Sequence, residues 1–156
     1  MGAGISRRTF FLGTAVFAMA LSAAYALILT VLAAAENATD GWGLSLYFWS
    51  PGGIVVENPA LLALIHCTLL VLAATVGLGA GAIYKRWGTT GIYVASAAIV
   101  VLGGAGMALI GSLDSWGTVF DWFGAQPASV VAVGIPLVLV VLLGALTHAT
   151  IRRAVP

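Results

Sequence analysis

The sequence predicts an all-α integral membrane protein, with four transmembrane helices in an antiparallel bundle and both termini in the cytoplasm. Three observations predict it. The 156 residues are 62% hydrophobic and only 7% charged, with a mean hydropathy of +1.12. A water-soluble domain carries about 25% charged residues, so this chain has too few to cover a surface facing water. Four segments lack Lys, Arg, Asp and Glu and are long enough to cross a bilayer. The few charges that exist are sorted by sign to opposite ends of those segments.

The spans run over 9–35, 59–84, 91–113 and 128–151 within a single transmembrane domain, 1–156. At about 1.5 Å per residue each reaches the roughly 30 Å of hydrocarbon. A lone segment in lipid must satisfy its own backbone, so each is predicted as a helix. Val/Ile runs such as "AIVVLGG" and "PLVLVVLLG" would suit buried strands in a soluble protein; here their length decides for helix.

The first span opens with "ISRRTFFLG", residues 5–13. Paired arginines before an apolar run also begin a twin-arginine export signal. The run that follows is about 27 residues, against roughly 7–15 for the apolar region of a signal. A second Arg pair, Arg152 and Arg153, stands at the far end of the chain. Arg7 and Arg8 therefore read as a membrane foot, their heads among the lipid headgroups.

All six basic residues lie at one set of ends: Arg7, Arg8, Lys85, Arg86, Arg152 and Arg153. All five acidic residues lie at the other: Glu36, Asp40, Glu57, Asp114 and Asp121. The positive-inside rule places the basic ends in the cytoplasm. The inner loop 85–90, "KRWGTT", is then a tight hairpin. The outer loops are 36–58 and 114–127, and both are rich in Trp, Tyr and Phe. Such rings favour the membrane interface, and they also suit a lid over an outward-facing cavity. Asn37-Ala38-Thr39 matches a glycosylation acceptor. Asp40-x-Trp42-Gly43 is echoed by Asp114-x-Trp116-Gly117, which would fit a parallel duplication or a shared preference for interfacial Trp.

Inside the spans, polar groups are few. His66 falls about 10 Å from the outer end of its helix and His148 one turn from Arg152, near the inner face. Those depths argue against a bis-histidine haem and favour hydrogen bonds to neighbouring helices. Gly77 and Gly81, and Gly104 and Ala108, form small-x-x-x-small pairs that predict close helix packing. Pro136, with Gly134 beside it, predicts a kink in the last span. No metal-ligand cluster, catalytic set or phosphate loop is legible, so the chain reads as a non-enzyme without cofactor. A net charge of +1 gives no case for nucleic acid, and the lone Cys67 excludes an internal disulfide.

"GAGISRRTFFLGTAV", residues 2–16, with Leu12-Gly13-Thr14 opening the helix, resembles the cytoplasmic elbow of ABC-2-type transporter permeases. "AENATDGWGLSLYFW" and "GAIYKRWGTTGI" are similar to actinobacterial members of that class. The resemblance implies a multi-pass permease-like subunit in the cell membrane that moves substrate with a separate cytoplasmic ATPase. It implies that Ser6, Arg7, Arg8, Thr9 and Phe10 contact that ATPase. Such permeases have six spans, and the elbow precedes the third. The chain would therefore hold the last four, and a second copy or another chain would supply two further helices. The rival expectation is a small accessory or scaffold subunit that transports nothing.

Overall fold

The computed structural model describes residues 7–49, 56 and 58–153. Among the described residues the regular structure is helix throughout. Helix α1 spans Arg7–Ala38, α2 spans Pro59–Ser112, α3 spans Trp116–Ala125 and α4 spans Ile135–Arg153. Three helical runs are long and apolar enough to cross a membrane: Leu12–Ala38, Pro59–Ser112 and Val130–Thr150.

Helix α1 runs past its predicted end at residue 35 and takes in Glu36. The Thr39 hydroxyl and amide both donate to the Ala35 carbonyl, at 2.8 and 3.1 Å, and so satisfy acceptors that the last turn would leave open. The start of α2 was legible. Asn58 is its N-cap, with the side-chain oxygen accepting from the Ala60 and Leu61 amides at 2.9 and 3.3 Å, and Pro59 occupies the first turn. A cap of this kind contributes about 1 kcal/mol, and the missing proline N–H costs nothing there.

Helix α2 is broken at one residue. Gly88 has φ 66° and ψ −157°, a region open essentially to glycine alone. The expected loop 85–90 is otherwise helical. The bend is sharp: a Cβ on Gly91 would lie 2.6 Å from the Trp87 Cβ and 3.4 Å from the Ile83 carbonyl oxygen. In a straight helix Ile83 and Gly91 stand about 12 Å apart along the axis. Two glycines three residues apart thus replace a conventional loop.

The first arm of α2, 59–87, packs against both α1 and α4, which scarcely touch each other. Thr30 meets His66 near one end of the α1–α2 seam, and Gly79 meets Thr147 on the α4 side. The seams are lined by small and hydroxyl side chains. Ser22, Ala26 and Ala33 on α1, Thr68 on α2 and Thr147 on α4 are all buried. Small side chains let backbones approach closely, which matters in lipid because burying apolar surface there gains little.

The second arm, 89–112, departs from the expected four-helix bundle. Ile99, Val100, Val101 and Leu102 are 73%, 72%, 67% and 73% exposed. Four consecutive helical residues, about 100° apart, point in all directions, so no side of this stretch is covered. The described residues pack α1, the first arm of α2 and α4 together, and the second arm of α2 stands off that set.

The last span also differs in detail. A wide π-helical turn, Val130–Gly134, precedes α4, and the Ile135 amide donates to the Val130 carbonyl. Pro136 follows at the second position of α4. A proline removes one amide donor and crowds the carbonyl four residues back. The widened turn sits where that crowding falls, and it takes the place of the simple kink expected at Gly134 and Pro136.

Candidate functional site

The most organised polar structure lies at the C-terminal end of α1, around Glu36 and Asp40. Backbone φ is positive at Asp40 (51°), Gly41 (67°), Trp42 (62°), Gly43 (72°) and Ser45 (54°). This left-handed turn carries 41–49 back across the end of α1 as a strap. Gly41 accepts the geometry because a Cβ there would fall 2.5 Å from the Leu46 nitrogen. Trp42 and Ser45 do not accept it freely, since a left-handed residue with a Cβ costs about 1–2 kcal/mol.

Glu36 holds the strap down. The residue is fully buried. Its carboxylate accepts from the Trp42 indole Nε1–H at 3.1 Å, the Phe48 amide at 2.8 Å and the Trp49 amide at 3.0 Å. Hydrogen bonds to an ionised acceptor contribute about 1.5–3 kcal/mol each, which outweighs the local strain. Sequence reasoning missed this residue because it used charge to end the span, and so put Glu36 in the outer loop. The available signal was Trp42, Phe48 and Trp49 six to thirteen residues downstream.

A second contact ties the strap to itself. The Tyr47 hydroxyl donates to Asp40 Oδ1 at 2.7 Å. That bond, followed by slight desolvation and the nearby negative charges of Asp40 and Glu36, raises the Tyr47 hydroxyl above its ordinary value of 10.0. The strap leaves Phe48 outward and packed edge-on to Trp49, with ring centroids 5.1 Å apart.

The segment after α2, expected as the loop 114–127, contains the short helix α3. Its rings are exposed. Trp116 and Phe120 stack at 5.9 Å, and Trp122 and Phe123 meet edge to face at 5.0 Å. At the opposite end of α2's first arm, the Arg86 guanidinium lies 4.5 Å from the Trp87 ring centroid.

Other residues singled out in the sequence are dispersed. Arg7, Arg8, Thr9 and Phe10 form the first turn of α1, and Ser6 lies outside the described residues. Gly77, Gly81 and Gly104 have open space where a Cβ would stand, and Ala108 is exposed. The close approach expected of those pairs is not made among the described residues. The glycine that meets another helix is Gly79, whose Cβ position is 3.2 Å from Thr147 Oγ1.

The Thr30 hydroxyl donates to the Ala26 carbonyl at 2.7 Å and stands 3.2 Å from His66 Nδ1. With its single proton spent on Ala26, Thr30 can offer its oxygen to an Nδ1–H of His66. His148 follows Thr147, level with Gly79, about 20 Å below His66 by helical rise. Among the described residues no three His, Cys, Asp or Glu side chains gather in a metal-binding group. Where α1, α2 and α4 converge lies a cavity of about 150 Å³, lined by Ala18, Val71, Ala74, Leu78, Val140 and neighbours. Thr75 turns its hydroxyl back to the Val71 carbonyl at 2.8 Å, leaving the cavity wall apolar.

Together these features define an all-helical protein with three long apolar helices compatible with a membrane location. The chain matches no protein-family model, no curated protein and no solved structure.

Proposed function

We propose that this chain is a multi-pass subunit of a larger membrane assembly: a permease-like subunit of an ABC-type transporter that moves substrate with a separate cytoplasmic ATPase. In this reading each arm of α2 crosses the bilayer, which makes four spans, and both termini face the cytoplasm. The observation that carries the assembly is the second arm of α2. It is uncovered on all sides around 99–102, yet carries "LGGAGMALIG" directly after. Glycine-rich helix surface makes little contact with lipid tails and suits close packing on another helix. A second copy, or a chain supplying two further helices, would provide that cover. The ATPase partner is supported by the resemblance of the elbow at Ser6, Arg7 and Arg8.

A second reading is an accessory or scaffold subunit. The apolar wall of the cavity favours it, because a route for a polar substrate would need polar lining among these helices.

The orientation is tested by cysteine labelling in a Cys67→Ala background. Cysteines at Ser45 and Ser115 should react with an impermeant thiol reagent in intact cells, and one at Thr89 should not. Labelling of Thr89 alone would reverse the topology.

The coupling role is tested at the elbow. Arg7→Lys together with Arg8→Lys keeps the charge that marks the cytoplasmic side but loses the planar fork that pairs bidentately with carboxylates. At equal insertion, the double variant should co-purify less of an ATP-binding subunit encoded in the adjacent reading frame. Equal recovery by wild type and variant would reduce the pair to a membrane foot. Recovery of none by wild type would favour the scaffold.

A further inference from the structure

We propose that the far end of the strap, 48–49, is a proton-released latch, held over the end of α1 while Glu36 is ionised and freed when Glu36 takes up a proton. This inference stands apart from the transport reading and requires only the geometry at this end of the helices.

The strap has a strained turn, tied to the end of α1 by the Trp42 amide on Thr39 Oγ1 at 3.2 Å and the Gly43 amide on the Thr39 carbonyl at 2.8 Å, and a far end, 48–49, that bonds back to Glu36. Asp40, Gly41, Trp42, Gly43 and Ser45 all hold positive φ, and two of them, Trp42 and Ser45, are residue types that rarely do so. Such conformations persist only where surrounding contacts over-determine them. Beyond the turn's own backbone bonds, the contacts from the strap back to α1 meet at the Glu36 carboxylate, which takes the Trp42 indole N–H and the Phe48 and Trp49 amides. An ionised carboxylate offers acceptor sites on both oxygens, while a protonated one turns one oxygen into a donor. An O–H facing N–H donors repels them, and the remaining bonds lose their charge assistance. Uptake of one proton therefore weakens the three bonds together and frees the far end of the strap, 48–49, while the turn keeps its bonds to Thr39.

Among the described residues, Glu36 is the titratable side chain that bonds the Phe48 and Trp49 amides. On the same stretch of chain stand Asp40 and Tyr47, bonded to each other. The first turns of α2 and the π-helical turn before α4 carry no titratable side chain over 59–65 and 130–135. Asp114 and Asp121 lie in the segment around α3, and Glu57 lies outside the described residues. His66 is engaged with Thr30, about 9 Å along α1 from Glu36. The Asp40–Tyr47 bond lies within the strap and its near end, so it stiffens the turn without fastening it to the helix.

The test is amide hydrogen–deuterium exchange of the full chain in lipid nanodiscs, with each rate set against the free-chain rate at the same pH. Between about pH 7.5 and about pH 3.3, one unit below the ordinary Glu value near 4.3, wild-type protection at Phe48 and Trp49 should fall about tenfold. Protection over 68–78 in α2 should hold. Glu36→Gln, which mimics the protonated acid, should show low strap protection at both pH values and no pH response. Asp40→Asn should keep the wild-type response. Strap protection that is independent of pH in the wild type would overturn the proposal. So would equal loss over 68–78, which would report general loosening, or a pH response surviving in Glu36→Gln. If Glu36→Gln fails to fold, the wild-type profile and the Asp40→Asn control decide the matter.

Discussion

Gly41→Ala is expected to destabilise the chain by about 2 kcal/mol or more, with the loss centred on the strap. Two costs add. Residue 41 holds φ +67°, where a residue with a Cβ loses about 1–2 kcal/mol. The new methyl would also stand 2.5 Å from the Leu46 nitrogen and 3.1 Å from its carbonyl oxygen. Those are backbone atoms fixed by the Leu46 amide bond to the Gly41 carbonyl at 3.0 Å, so no side chain can swing aside. Gly43→Ala is the control. It has φ +72° but open space around it, so it should pay the conformational cost alone, about 1 kcal/mol. Thermal unfolding in detergent ranks the two variants. Equal, small losses would mean that the turn at Gly41 is not held as described.

Gly79→Leu is expected to have the second large effect. A Cβ at residue 79 already stands 3.2 Å from Thr147 Oγ1, and Thr147 is buried in the α2–α4 seam. Three further carbons cannot enter without separating the helices, and overpacking of this kind costs about 1–3 kcal/mol. Gly77→Leu and Gly81→Leu meet nothing within 4 Å and should leave the melting of the isolated chain nearly unchanged. If their face receives a helix from another chain, the same two variants should reduce recovery of the assembly while sparing the monomer. Melting lowered as much by Gly77→Leu as by Gly79→Leu would place the intramolecular seam on the other face of α2.

The contrast between these glycines shows how far a spacing rule reaches. Gly77 and Gly81 satisfy the small-x-x-x-small pattern, and Gly79 between them does not stand out. A helix surface is a candidate for packing wherever its residues are small, but the neighbour's position selects which face is used. On α1 the buried line is Ser22, Ala26 and Ala33, and Ser22 and Ala26 form a small-x-x-x-small pair without a glycine. Glu36 makes a similar point. An isolated carboxylate after an apolar run reads as the start of a loop, because a bare charge is costly in lipid. It can be buried at the end of α1 because three donors from 42–49 fold back onto it.

The sequence by itself determined the helical class, the apolar runs, the start of α2 at Pro59 and the sorting of charge to opposite ends. These follow from local and additive physics: backbone groups must be satisfied within each apolar segment, and an N-cap acts over three residues. Only the tertiary structure decided that the turn between the arms of α2 is confined to Gly88, that α3 forms within an expected loop, and that the second arm stands clear of the other helices. It also decided that Glu36 is buried as the anchor of the strap. The burial of Glu36 depends on groups six to thirteen residues along the chain meeting it in space, and that energy exists only once both partners are in place.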